Sequence, residues 1–511
     1  MNNWLLAAVA AVGCLASLAV TPLVRTLARR VGLLDRPDLH RKMHAQATPL
    51  GGGLAFIVSA SAALSLAVFF PSHAGRILTG NRAELFGMIA GIVIIAGVGL
   101  WDDFRGMRAR YKLVGQLAAA TVIVASGLTI GQIGFWGEVW QLGWFAAPLT
   151  VFWLVLCMNA LNLIDGSDGL ATTLGIVLFG TIAVIAITLR NELTAVVALA
   201  LVGALFGVLR YNFPPATIFL GDCGSMTIGL LAGALSVHSC MKGAAAFAIS
   251  APLAMWTIPV LDVSMAVLRR KLTGRGLSTT DRLHLHHSLL NRGISHRALL
   301  AVAATLSIFS GLGAYLTVRF QNQWFALFTV VGVVGFLAGT RLFGHVELLL
   351  AGHHLANWGR RLVPARQADL DRGWSSKVRL QGERHWEQLW DHLLEASDVL
   401  AFTRLRLDLN LPWMHEGFHA TWQRPAENNP LGAVRLEWPL AVGDRYIGML
   451  TVAGEAGDEP AQWLAKVAEF LADFQDRTIL VYREAQAPSG SVPAGVALSP
   501  TPATDDHLIR S

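Results

Sequence analysis

Up to about residue 343 the chain alternates long apolar windows with short polar connectors, and then the pattern changes. A window of about 20 apolar residues is long enough to cross a bilayer as a helix. The pattern predicts about eleven such helices, near 4–24, 50–70, 85–101, 113–130, 145–163, 170–189, 193–209, 223–240, 244–268, 298–318 and 324–342. Residues 344–364 predict an amphipathic surface helix with Trp358, Arg360 and Arg361 at headgroup level. Residues 365–485 read as a small α+β domain. ERHWEQLWDHLLEA (383–396) has helical periodicity, and a second helical pattern runs from Ala461 to about Ala485. Between them, Thr403, Leu405, Leu407 and Leu409 alternate as a strand does, as do Val434, Leu436, Trp438 and Leu440, and Arg445 to Ala453 is also strand-like. The tail, 486–511, is rich in Pro, Gly, Ser and Ala and is expected to be disordered. The expected fold class is therefore an all-α polytopic membrane protein with a C-terminal cytoplasmic α+β domain.

Composition agrees: 54% hydrophobic and 14% charged residues exclude an ordinary soluble globule. The net charge of +6 calls for no nucleic-acid partner and fits basic loops beside anionic lipid headgroups. With the N-terminus outside, the connectors assigned to the cytoplasm (25–49, 101–112, 159–169, 210–222 and 269–297) carry 18 Lys and Arg, against 5 on the other side. That asymmetry sets the orientation. The first window lacks a basic start and is followed by Arg25, Arg29 and Arg30, so it reads as a retained span rather than a cleaved leader. Cys14, Cys157, Cys223 and Cys240 lie in or beside apolar segments with no CxxC pair, which reads as buried thiols and not as a disulfide framework.

Four polar clusters abut the apolar windows, all on the basic side. Polar groups at the edge of hydrocarbon are costly and mark function. WDDFRGMRARYK places Asp102 and Asp103 side by side, with Lys112 opening the next window. Adjacent like charges call for a compensating cation, although a solvated turn would show the same residues. NALNLIDGSDGL supplies Asn159, Asn162, Asp165 and Asp168, hard oxygen donors of the kind Mg²⁺ takes, between glycines that permit tight turns. IFLGDCGSM sets Asp222 between Gly221 and Gly224, with Ser225 as a candidate cap of a helix whose free N–H groups suit a phosphate. HLHH places His284, His286 and His287 in a basic loop without cysteine, which favours contact with phosphate or sugar over zinc. A weaker element, RKMHAQATPLGGG, offers Lys42 and Thr48, and its Gly51 to Gly53 read as helix packing.

In this order the motifs resemble the polyprenyl-phosphate N-acetylhexosamine-1-phosphate transferase family, in particular its bacterial undecaprenyl-phosphate N-acetylglucosamine-1-phosphate transferase branch. The resemblance covers residues 1–343, as a membrane-embedded transferase domain, and says nothing of 365–485, for which a regulatory or docking role with an unknown partner is the expectation. It implies transfer of a sugar-1-phosphate, GlcNAc-1-phosphate foremost, from a UDP-N-acetylhexosamine to undecaprenyl phosphate in the bacterial inner membrane. UMP is released and Mg²⁺ is used, with Mn²⁺ as a substitute. By motif, Asn162 and Asp222 would be metal ligands, and Asp102, Asp103 and Lys112 would line the transfer centre. Asp165, Asp168 and Phe219 would position the nucleotide, with Lys42 and Thr48 less securely beside it. His284, His286 and His287 would meet the diphosphate or sugar. The HLHH pattern resembles the N-acetylhexosamine branch rather than the one taking a muramoyl-pentapeptide nucleotide. A transporter with a regulatory domain and a metal-dependent membrane hydrolase stay open as alternatives, and a homodimer is compatible with the sequence.

Overall fold

The computed structural model describes residues 3–35, 47–69, 73–80, 82–135, 138–240, 249–272, 284–290, 292–340, 342–343, 374–381, 386–411, 416–424, 433–443, 445–455 and 459–486. Lys42, the 344–364 connector and the tail from 487 lie outside them. The chain forms two compact units, Met1–Gly352 and His353–Ser511.

The first unit is helical. In order it contains α1 (Asn3–Arg30), a two-residue pair β1 (Leu34–Asp35) and β2 (Thr48–Pro49), α2 (Gly52–Phe69), α3 (His73–Gly80), α4 (Arg82–Arg105) and α5 (Ala109–Ala125). A short hairpin, β3 (Gln132–Phe135) and β4 (Glu138–Gln141), leads to α6 (Ala146–Ile164), α7 (Leu170–Thr188), α8 (Glu192–Asn212) and α9 (Gly221–Cys240). Then follow α10 (Ser250–Met255), α11 (Thr257–Leu272), α12 (Leu285–Leu290), α13 (His296–Arg319) and α14 (Trp324–Gly339).

Eight described helices (α1, α2, α4, α6, α7, α8, α9 and α13) are long and apolar enough to cross a membrane, and each answers to an expected window. The other three windows fall on shorter elements. Window 113–130 is the 17-residue α5, 324–342 is the 16-residue α14, and 244–268 holds α10 and α11, which part at Trp256. A count of eleven full-length spans therefore does not emerge from the described helices. Apolar content alone does not reveal where a run ends or breaks.

Helix α9 is the least apolar of the eight and is buried along its whole window. A helix surrounded by other helices needs no lipid-compatible surface, so small residues replace large ones and backbones close up. Helices α2, α4, α6 and α7 pack around it. At Gly99 of α4 a Cβ would stand 2.5 Å from the Cys223 Cα, so only glycine lets α4 lie this close to the start of α9. Gly53 touches Gly224 in the same way, in keeping with a packing role for the 51–53 glycines.

Among its described residues the second unit has a five-stranded antiparallel sheet and two helices: β5 (Trp374–Gln381), α15 (Trp386–Val399), β6 (Phe402–Leu411), β7 (Glu416–Gln423), β8 (Ala433–Val442), β9 (Arg445–Glu455) and α16 (Pro460–Gln486). The sheet order is β5-β7-β6-β9-β8. Leu405 pairs with Trp422 and Val452, and Leu436 with Val452, which sets these residues on one face. That face forms a core with Trp386, Trp390 and Leu393 of α15 and Val467, Leu471 and Phe474 of α16. On the other face Asp408 pairs with Arg406 at 2.8 Å and His419 at 2.6 Å. Strands β6, β8 and β9 and both helices sit on the expected segments. Strands β5 and β7 were not anticipated, because β7, EGFHATWQ, mixes Gly and His into its apolar alternation.

Candidate active site

Three distant segments meet where α4 ends, α5 begins and α9 begins. Lys112 Nζ, one turn into α5, lies 2.9 Å from Asp102 Oδ2 and 2.5 Å from Asp222 Oδ2. The other Asp222 oxygen, Oδ1, accepts a hydrogen bond from Asn162 Nδ2 at 2.6 Å, and the same amide donates to Ser225 Oγ at 3.0 Å. Behind them Gln116 and Asn159 exchange amide hydrogen bonds of 3.3 and 2.8 Å, tying α5 to α6 one turn from Lys112 and Asn162.

Asp103 does something the sequence did not show. Its Oδ1 accepts the N–H of Asp222 at 2.8 Å and its Oδ2 that of Cys223 at 3.2 Å, so a side chain of α4 caps α9. Those two N–H groups are therefore taken and are not free for a phosphate. Ser225 is not the cap either. It lies inside α9 and donates back to Gly221 O at 3.1 Å. Gly221 has φ +74°, and a Cβ there would stand 2.6 Å from Asp103 Oδ2, so both the turn and the capping carboxylate require glycine.

Asp168 also serves the backbone: its Oδ2 accepts the N–H of Ala216 at 2.9 Å, which tethers the 213–220 loop to the 165–169 turn. Phe219 pairs through its main chain with Pro49 and Gly52, making a parallel bridge beside Thr48. No side-chain hydrogen bond reaches Asp165 among the described residues. Burial pushes its carboxyl well above the usual carboxylate range, and the charges of Asp222 and then Asp103 push the same way.

A cavity of about 1080 Å³ opens over this cluster. Asp102, Asp103, Asn162, Asp165, Asp168, Asp222, Thr48 and Phe219 line it, facing His287 and the start of α13 at His296 and Arg297. The histidine motif sits at its edge as a stack: the His284 and His286 rings are 5.9 Å apart, and those of His286 and His287 4.2 Å. His286 is buried and packs against Gly166, and among the described residues neither ring nitrogen has a hydrogen-bond partner. Burial, aided by His287, pulls its pKa down to about 3. It is therefore a neutral ring at physiological pH, so a direct cationic contact from His286 does not fit this arrangement.

Sequence reasoning missed four lining or supporting residues. His296 Nδ1 meets Ser167 Oγ at 3.2 Å, Arg297 lies over the Phe213 ring at 5.8 Å, and Asp262 holds His284 from α11. Gln116 is the fourth. An acid inside the apolar window 244–268 was a usable signal for Asp262; the others carry no pattern of their own.

The donor set suits a hard divalent cation. Six carboxylates (Asp35, Asp102, Asp103, Asp165, Asp168 and Asp222) line the cavity, and the Lys112 ammonium pairs with two of them, Asp102 and Asp222. Among the described residues no group of three His, Cys, Asp or Glu side chains could hold a metal alone. Asn162 and Asp222 would contribute two donors at most, the small protein share typical of Mg²⁺ sites completed by phosphate oxygens.

Residues 85–240, which contain all of this acidic cluster but not the histidines, match glycosyl transferase family 4. Over 330 residues (64% of this chain) the sequence is 34% identical to a probable undecaprenyl-phosphate N-acetylglucosaminyl 1-phosphate transferase of Bacillus subtilis (strain 168), covering 88% of that protein. The chain belongs to this family. It is also 35% identical to a decaprenyl-phosphate N-acetylglucosaminephosphotransferase of Mycolicibacterium smegmatis, across 61% of this chain and 82% of the relative. A phospho-N-acetylmuramoyl-pentapeptide-transferase of Desulforudis audaxviator is 32% identical across 55% of this chain and 89% of its own length. The resemblance read from the motifs is thus borne out: the protein is an integral membrane transferase of glycosyl transferase family 4.

Proposed function

We propose that this protein transfers N-acetylhexosamine-1-phosphate, GlcNAc-1-phosphate foremost, from a UDP-sugar to undecaprenyl phosphate, releasing UMP and opening the synthesis of a lipid-linked envelope glycan. The reading places the site at the cytoplasmic face of a bacterial inner membrane, with the N-terminus outside. One observation carries it: Asp102, Lys112, Asn162 and Asp222, from distant segments, share one charge network beneath a cavity large enough for a nucleotide sugar. The names of the relatives favour GlcNAc-phosphate transfer to a polyprenyl phosphate over the muramoyl-pentapeptide reaction.

In this scheme an oxygen of the lipid phosphate attacks the sugar-bearing phosphorus. The bond from that phosphorus to the bridging oxygen breaks, and UMP leaves with the electron pair. A phosphate monoester with a second pKa near about 6 is already ionised at neutral pH, so no general base is required. Lys112 holds positive charge against the transferring phosphate, where it stabilises charge in a desolvated site. Asp102 keeps Lys112 in place, and Asp103, committed to the cap, keeps Asp222 in place. Asp168 and Phe219 shape the nucleotide wall through the loop they anchor. Mg²⁺, or Mn²⁺ in its stead, held by Asn162 and Asp222, would supply neutralisation of the diphosphate charge.

The test is turnover of purified protein with undecaprenyl phosphate and a panel of UDP-N-acetylhexosamines and the muramoyl-pentapeptide nucleotide. UMP release that needs the lipid, with a labelled lipid product, is the expected result. UMP formed without lipid would make it a hydrolase, and no UMP from any donor would leave the transporter reading.

A further inference from the structure

Asp262 is a carboxylate with no water to dissolve it. It lies on α11 within an apolar stretch, its side chain is 0% exposed, and among the described residues its two oxygens have one partner each. Oδ2 faces His284 Nδ1 at 3.0 Å, and Oδ1 accepts the N–H of Leu285, the first residue of α12, at 2.8 Å. Burying a carboxylate is expensive unless every oxygen is satisfied. Here both partners belong to the histidine motif, 22 and 23 residues further along the chain.

Two consequences follow from the bonding alone. A carboxylate only accepts hydrogen bonds, so His284 Nδ1 carries the proton, in the neutral ring and in the cation alike. The Leu285 bond fixes where α12 starts, and with it the stacking of His284, His286 and His287 toward the cavity, which His287 lines. Among the described residues no hydrogen bond reaches His284 Nε2, and the side chain as a whole is 7% exposed.

We propose that Asp262 is a positioning residue: it locks His284 in the Nδ1–H tautomer and suspends the histidine stack at the cavity edge, where the stack contacts the sugar-phosphate half of the donor. Asp262 itself touches no substrate. The proposal rests on the transferase reading for what the stack meets, and on the geometry for the tautomer.

The experiment uses the full chain purified from membranes. In the wild-type protein, ¹⁵N-histidine NMR of the long-range ring couplings should show an Nδ1–H imidazole that disappears in His284→Gln. An Nε2–H tautomer for that residue overturns the proposal, whatever the protein catalyses. Asp262→Asn keeps an oxygen for the Leu285 N–H but turns an N–H toward His284, which forces the opposite tautomer. Behind a metal-ligating histidine the loss of such a partner typically costs about 10–100-fold, and the lower end of that range is the expectation for a histidine that meets a sugar phosphate. The expected result is a rise of about tenfold in KM for the UDP-sugar, with KM for undecaprenyl phosphate unchanged and no further loss when Asp262→Asn is added to His284→Gln. Equal rises in both KM values, or additive losses in the double variant, would show a merely structural acid and overturn the positioning role. If Asp262→Asn does not fold, the tautomer in the wild type and the donor-selective KM defect of His284→Gln carry the test, and absence of either defeats it. A wild-type protein that turns over no donor defeats the transferase reading alone, since the tautomer is read without turnover.

Discussion

Helices α4 and α9 run side by side, and each is polar at both ends, but the two ends are built on opposite principles. At one end Glu84 of α4 meets His238 of α9 at 2.9 Å, and His238 Nδ1 meets Thr194 at 2.5 Å, while Asn191 donates to the His238 carbonyl at 2.9 Å. One acid faces one imidazole amid neutral donors and acceptors. At the other end Asp102 and Asp222 share one lysine with Asp103 and Asp165 beside them, and among the described residues the Asp165 carboxyl receives no hydrogen bond. A satisfied buried network rigidifies a bundle, whereas an unbalanced one costs stability and persists where a ligand supplies the missing charge. The first end reads as a staple and the second as a site.

The comparison breaks most sharply at Asp222. Asp222→Ala should lower turnover by roughly 10²–10³-fold or more while the protein still inserts and keeps its thermal midpoint near wild type. Near-normal transferase activity of the purified variant would remove Asp222 from the chemistry. Asp103→Ala should act on both properties, because it uncaps α9: about 1–2 kcal/mol of stability from denaturant or thermal titration, with turnover falling as Asp222 shifts. Unchanged stability would contradict the cap.

At the staple end, His238→Leu should cost about 1–3 kcal/mol by taking the ring partner from the Thr194 hydroxyl and from Glu84, while Asn191 keeps its bond to the main-chain carbonyl, and it should leave KM for both substrates as in the wild type. Loss of activity without loss of stability would make that end functional. Asp165→Asn should do the reverse at the site: turnover falls, but the thermal midpoint at neutral pH rises by a few degrees. Its raised pKa means that ionising it works against the folded state, and the neutral amide removes that penalty.

The smallest effect concerns acid. His286 titrates near about 3 when folded and near the ordinary histidine value when unfolded, so between those values the unfolded chain binds the extra proton. Stability should therefore fall as pH drops through that window, and fall less steeply in His286→Phe. Thermal midpoints from pH 7 to 4 measure the difference between the two slopes; identical slopes would mean that His286 is hydrated.

Much of the site was legible because its chemistry is dear in hydrocarbon. Asp102, Lys112, Asn162 and Asp222 stand out as polar interruptions of apolar runs, and they do meet. What each one does was less legible. Asp103 looked like the twin of Asp102 and is a helix cap, Ser225 looked like that cap and is not, and Asp168 anchors a loop through Ala216. Asp262 was passed over within its window although the same cost argument applied to it.

By itself the sequence determined the apolar windows, their side bias in basic residues, the soluble composition of the C-terminal unit, and which residue types gather at one edge of the membrane helices. All of these follow from transfer free energies, which depend on each residue and its near neighbours. Only the tertiary structure decided that α9 stands at the centre, that windows 113–130, 244–268 and 324–342 yield shorter helices, and which carboxylate faces an ammonium, a backbone N–H, an imidazole or nothing. The carboxylate pairings depend on hydrogen-bond geometry between separate segments, 110 residues apart for Lys112 with Asp222, and no local pattern encodes a distance of that kind.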